Sequence, residues 1–250
     1  MSTAGWIRLL VVALMVGGLE VACRVGALPA TAIIAPSEML RAMVEALTSG
    51  ELATDIRLTF TAVAIAASLA ITGGFVLGFL IHLSPRLRAA LDPLLAAYYA
   101  IPHVAFYPLL IVVFGLGIGP LIVLATAFGI VAMIIATLTG LDRVPRVLMR
   151  TARVHRLSPL QEMVLVRLPA AMPHLLSGVK LALSYAFIGV IAGEFILSTA
   201  GVGHAIAYAY DNFDNRRMYG LIVFVIGFMV VVNMLVLLWE RRLAQRRGAR

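Results

Sequence analysis

From Val104 to Leu141 the chain carries no charged residue. That run is too long for one membrane crossing, which takes about 20 residues. GLGIGP, Gly115 to Pro120, supplies a turn in its middle. The run therefore reads as two spans joined by a tight hairpin. The first of them starts upstream near Leu94 and bends at Pro102 and Pro108. Composition points the same way, since 62% of the 250 residues are hydrophobic and only 13% are charged. A soluble domain has about a quarter of its residues charged, so the membrane is the expected solvent.

Four further apolar runs complete a set of six spans, at about 5–28, 59–82, 94–115, 119–141, 175–197 and 218–239. The expected architecture is a single all-α integral membrane domain over 1–250. Arg8 followed by Leu9 to Gly18 resembles a signal peptide. Glu20, close before Cys23, makes a poor lipoprotein cleavage signal, so an uncleaved first span is expected. Cys23 is the only cysteine and cannot form a disulfide within the chain.

The net charge of +8 does not indicate nucleic acid, because the basic residues collect in short loops beside apolar runs. With both termini cytoplasmic, only Arg24, Arg41, Arg57, Arg216 and Arg217 of the 20 Lys and Arg residues fall outside. The positive-inside rule fixes that orientation. It places the basic segment from Asp142 to His174 in the cytoplasm. This segment can form a short amphipathic helix ending at Leu168-Pro169, suited to receiving force from a soluble partner.

Small residues recur every three or four positions on two spans. Ala62, Ala66, Ala70, Gly74 and Gly78 form one strip, and Gly178, Ala182, Ala186, Gly189 and Gly193 the other. Lipid gives no hydrophobic drive between helices, so close backbone approach must supply the contact energy. The strips read as packing seams within the chain, or as surfaces that slide during a conformational cycle.

Few residues have the character of a chemical site. Glu194 lies near the outer end of the fifth span, where it faces a polar cavity or partner, or sits as a paired or snorkelled carboxylate at the membrane edge. Glu20 is similar but lies in a less hydrophobic span. His103, after Pro102, reads as a packing or interfacial residue. The five histidines are scattered, with no metal cluster. The phosphate loop GxxxxGK(S/T) is absent, so the chain cannot hydrolyse ATP through it. Gly201-Val202-Gly203 reads as a turn into a short polar segment, His204 to Asn212. No enzyme site emerges.

The order of motifs resembles a known family, the membrane-spanning permease subunits of bacterial binding-protein-dependent ABC importers, in the nitrate/sulfonate/taurine/bicarbonate-type branch. The resemblance runs from APSEML (Ala35–Leu40) and SGEL (Ser49–Leu52) through LDPLL (Leu91–Leu95) to IPHVAFYPLLIVVFGLGIG (Ile101–Gly119). It continues in Ala152-Arg153, Ser158 and LPAAMPHLLSGVKLAL (Leu168–Leu183), which match the family's cytoplasmic EAA loop. AGEFI (Ala192–Ile196) and AGVG (Ala200–Gly203) complete it.

The resemblance implies a type I ABC importer transmembrane-domain fold in the bacterial inner membrane. It implies that the loop at about 142–174 forms a coupling helix docked on an ATPase. The expected coupling residues are Arg150, Ala152, Arg153, Arg156, Leu157, Ser158, Leu168 and Pro169, with the Leu-Pro pair ending the helix sharply. Glu194, Pro102 and His103 are weaker candidates for the pathway. The implied partners are two ABC ATPase subunits, a second permease copy, a periplasmic or lipid-anchored substrate-binding protein and membrane lipid. ATP and Mg would sit on the ATPase subunits, with no cofactor on this chain. The same arginines would also suit an inner-leaflet anchor.

Two positions depart from the family pattern. Arg150 stands where a Glu is usual and Arg156 where a Gly is usual, so the local backbone is expected to differ there. The implied cargo is a small anion such as nitrate, a sulfonate or taurine. Alternatives are a vitamin precursor (a thiamine pyrimidine precursor or riboflavin), an ATP-independent secondary transporter, and a scaffold or sensor without transport.

Overall fold

The computed structural model describes residues 3–29 and 32–248, and every regular element among them is helical. Five continuous helices are long and apolar enough to cross a membrane: Gly5–Arg24, Ala53–Leu83, Ile118–Asp142, Pro159–Leu197 and Asn215–Leu238. A sixth crossing is available from a broken pair, Pro85–Ala100 and His103–Phe114, bent by 87°.

In chain order the helices are α1 (Thr3–Arg24), α2 (Pro36–Thr48), α3 (Ala53–Leu83), α4 (Pro85–Ala97) and α5 (Tyr107–Phe114). Then come α6 (Ile118–Asp142), α7 (Arg146–Val154), α8 (Pro159–Glu162), α9 (Leu168–Leu197), α10 (Val202–Asp211) and α11 (Asn215–Gly248).

The third span differs in detail from its expected form. The chain breaks once, at Ile101-Pro102, because a residue before proline is pushed to an extended backbone and Ile101 sits at φ −79, ψ 126. Pro108 causes no second bend. It lies in the first turn of α5, where a missing N–H breaks no helical bond. The hairpin into α6 falls where GLGIGP predicts it, with Gly115 at φ 77 and Gly117 at φ 132.

α6 is the central helix, packed on α3 along one side and α9 along the other. Both small-residue strips face it. A Cβ on Gly178 would lie 2.5 Å from Ala136 Cβ and 3.0 Å from Met133 Sδ. Gly74, Gly78, Gly189 and Gly193 meet α6 in the same way. α6 adds a contact that the strips did not announce, at Gly129, whose added Cβ would lie 2.7 Å from the Ala182 carbonyl oxygen.

The fifth span is longer than expected. One helical course runs from Pro159 to Leu197, so Leu168-Pro169 does not end a helix. Pro169 falls in the first turn of α9, directly after a π-helical turn, Met163–Arg167. Proline cannot donate to the carbonyl four residues back and its ring crowds that carbonyl. The wider π turn admits the ring without a break. The stretch His204 to Asn212, expected to be a short polar segment after a turn at Gly201–Gly203, lies in the helix α10 and its C-cap, with Ala209 buried and Val202, Ala205 and Ile206 buried in one cluster with Leu52 and Leu221.

Candidate functional site

The basic loop begins with α7. Arg146, Arg150 and Arg153 are exposed and make no ion pair among the described residues, while Ala152 is buried. Val147, Leu148 and Val154 are exposed as well, so the helix presents both charge and apolar surface outward.

The end of α7 is fixed by its backbone. Leu157 N–H donates to the Ala152 carbonyl at 3.1 Å, and Arg156 N–H donates to the Arg153 carbonyl at 3.0 Å. These are the two bonds of a Schellman cap, which needs a left-handed residue between them. That residue is Arg156, at φ 51. The substitution of arginine for the usual glycine was expected to alter the local backbone. Instead the chain adopts the glycine-type turn with an arginine in it. The same cap closes α10, with Phe213 at φ 57.

Ser158 starts the next helical course. Its hydroxyl accepts from Gln161 N–H at 3.3 Å, and its own N–H donates to Gln161 Oε1 at 2.9 Å. This reciprocal capping box satisfies two donors that the helix leaves free. Arg167 then donates from Nε and Nη2 to Glu162 Oε1 at 2.8 and 2.7 Å, which spans the π turn. Leu168 packs with Met133, Leu141, Ala171 and Leu175. The loop is thus held by backbone caps at α7 and α8 and joined to α9 without interruption.

A charged knot lies beside the loop. Asp142 receives Arg88 Nη1 at 2.5 Å and His82 Nδ1 at 3.3 Å. It ties the ends of α3 and α6 to α4. These partners are far apart in the sequence, and no local pattern pointed to them.

Glu194 sits at the other end of α9, fully buried. Thr59 Oγ1 lies 2.8 and 2.9 Å from its two oxygens, and Gly203 N–H donates to Oε2 at 2.9 Å. Val202 N–H donates to Thr59 Oγ1 at 2.9 Å, and Gly201 N–H to Asp55 Oδ1 at 2.7 Å. Three successive backbone donors at the start of α10 are therefore satisfied by side chains of α3 and α9. A helix N-terminus favours such negative charge. Gly201 has φ 107, and a Cβ there would lie 2.3 Å from Glu194 Cδ, so only glycine fits. Glu194 is a paired carboxylate enclosed between α3 and the start of α10. Asp55 and Thr59 lie four apart on one face of α3, and the sequence alone does not tie them to Glu194.

Glu20 plays the same part at α2. It accepts from Ser37 N–H at 3.0 Å, Ser37 Oγ at 2.7 Å and Arg24 Nε at 2.7 Å. His103 is also internal. Its ring centroid lies 4.4 Å from Tyr98 and 5.2 Å from Phe128. Pro102 is exposed in the break. Among the described residues no group of three His, Cys, Asp or Glu side chains could hold a metal ion.

Comparison with known proteins gives this arrangement its context. Residues 70–248 match the family described as the binding-protein-dependent transport system inner membrane component. The aliphatic sulfonates transport permease protein SsuC of Bacillus subtilis is 30% identical over 98% of this chain and 89% of its own length. The taurine transport system permease protein TauC of Escherichia coli is 28% identical over 76% of this chain and 69% of its own length. A chain of the inward-facing MetNI methionine ABC transporter shares the fold, with a TM-score of 0.65 at 18% identity, covering 76% of this chain and 95% of that one. With its helices set as in an importer membrane domain and its sequence matched along most of its length, the chain belongs to the family of inner-membrane components of binding-protein-dependent transport systems and is a permease subunit of an ABC importer.

Proposed function

We propose that the chain pairs with a second copy to form the pathway for a small sulfonate or related oxyanion, and that two separate ATPase subunits drive it through α7. An extracytoplasmic binding protein delivers the cargo. Both termini and the basic loop face the cytoplasm, in accord with the distribution of Lys and Arg. The cargo class follows the names of the sulfonate and taurine relatives.

The observation that carries the coupling reading is the continuity of the loop with α9. A short helix with exposed arginines is capped at its end by Arg156 and Leu157, and a new helical course starts at Ser158 and runs to Leu197. Displacement of α7 by a partner is passed to α9 through the capped turn at 155–158. Arg150, Arg153 and Arg156 face the partner, and Ala152, Leu157, Ser158, Leu168 and Pro169 keep the lever stiff. Alternating access is then a shift between two arrangements of the spans, biased by nucleotide on the partner. The pathway runs along the open face of α9, with Pro102 in the break opposite. Glu194 and His103 support that wall from behind.

The test is uncoupling. Arg153→Glu, which loses one charge-assisted contact, or Leu157→Asp, which disturbs the capped turn, is expected to leave membrane insertion intact and to reduce binding-protein-stimulated ATP hydrolysis and uptake by about tenfold. Full transport by both variants would contradict the coupling role.

A further inference from the structure

A cavity of about 280 Å³ opens between the break of the third span, α6 and α9. Its polar lining is Tyr99, Thr139, His174, Ser177 and Tyr185, and its remaining walls are apolar. Tyr99 and Tyr185 stack with ring centroids 5.4 Å apart at 30°. The hydroxyls of Tyr99, Tyr185 and Thr139 and the His174 ring make no hydrogen bond within the described residues. Ser177 Oγ donates its proton to the Pro173 carbonyl at 3.1 Å, so it is a polar wall of the cavity and not one of its free donors. The pattern is unlike the knot at Glu194, where every nearby donor is used. These groups are open to the cavity and not sealed in the core, where among the described residues only His103 Nε2 is a buried side-chain atom without a partner, so water, solute or another chain can reach them.

The chemistry of the lining is specific. It offers several neutral donors and no carboxylate. An acceptor-rich anion can exchange water for these donors without meeting a like charge. No arginine or lysine lines the cavity, so the anion is not trapped by a fixed opposite charge. A conducting site must bind strongly enough to admit its solute and weakly enough to release it. The volume falls just below the ~300–1,000 Å³ of sites for drug-sized ligands, which suits a small head group.

We propose that this cavity is a transient, neutral-donor site for a small sulfonate-type or nitrate-type oxyanion within the membrane. The hydroxyls of Tyr99, Tyr185 and Thr139 contact the anion, and His174 closes the polar end. The inference rests on the permease reading above and adds the place and chemistry of the solute contact. Tyr99 also links the site to the break at Ile101-Pro102, so movement of either half of the third span reshapes one wall.

The experiment uses the assembled transporter in proteoliposomes, with its ATPase and binding protein, and follows uptake of radiolabelled taurine, methanesulfonate and nitrate. The Tyr99→Phe/Tyr185→Phe double variant keeps both rings and removes two donors. It is expected to lower anion uptake about tenfold while binding-protein-stimulated ATP hydrolysis stays near parental. Ser177→Asp places a carboxylate in the cavity and is expected to lower anion uptake further, again with hydrolysis retained. Parental uptake by the double variant, or anion uptake that survives Ser177→Asp, would overturn the site. Loss of hydrolysis in step with uptake would show a structural role and overturn it too. If the parental complex hydrolyses ATP but imports none of the three anions, the oxyanion class is wrong. If it shows no nucleotide-dependent response, the permease reading itself fails.

Discussion

Glu194 is a carboxylate buried among apolar helices, a placement that carries a large desolvation cost for the charged form. The structure offsets that cost with Thr59 Oγ1 at 2.8 Å, Gly203 N–H at 2.9 Å and the start of α10. Glu20 does the same for α2 through Ser37. In both cases a span supplies the acceptor that a short helix cannot supply for itself. Glu194→Ala is expected to orphan Gly203 N–H and the Thr59 hydroxyl. It should destabilise the protein by about 1–3 kcal/mol, read as a lower thermal unfolding midpoint in detergent. Glu194→Gln, which keeps one acceptor oxygen, should fall between that variant and the parent. Equal midpoints for all three would refute the capping role. The sequence marked Glu194 as unusual and left two surroundings open. It did not mark Thr59 and Gly201 as partners, because the bonds join residues far apart in the chain.

At the scale of elements, helix ends were harder to foresee than helices. The alternation of apolar runs with polar punctuation sets out the spans, because membrane thickness fixes their length. The ends depend on local chemistry that a single residue can decide. Arg156 keeps the left-handed turn normally given to glycine, and a non-glycine residue pays about 1–2 kcal/mol there. Arg156→Gly is therefore expected to raise stability by about 1 kcal/mol, after allowing for the greater freedom of glycine in the unfolded chain. A raised midpoint in the same thermal assay checks this, and a lowered one would mean that the arginine side chain makes up the strain through contacts. Pro169 shows the opposite case. It reads as a stop in sequence, and the π turn before it lets the helix run on. That outcome depends on how α9 packs on α6, which no local motif encodes.

At the scale of the whole molecule, α6 carries the arrangement. α3 and α9 approach it through glycine and alanine, which leave room for the α6 backbone and for Met133, Leu121, Leu124 and Phe128 to come close. The strips were legible because a period of three or four residues is visible in sequence, and their common partner was not. The same order puts the capped loop at one end of α9 and the Glu194 knot at the other. The capped loop, the central seam and the cavity of Tyr99 and Tyr185 thus all border α9. This chain is expected to move solute only under the drive of a separate ATPase. The direct measurement is uptake of radiolabelled taurine into proteoliposomes containing the chain alone, or the chain with its ATPase and binding protein, with and without ATP. Uphill uptake is predicted only for the complete assembly with ATP. Uphill uptake by the chain alone would contradict the account.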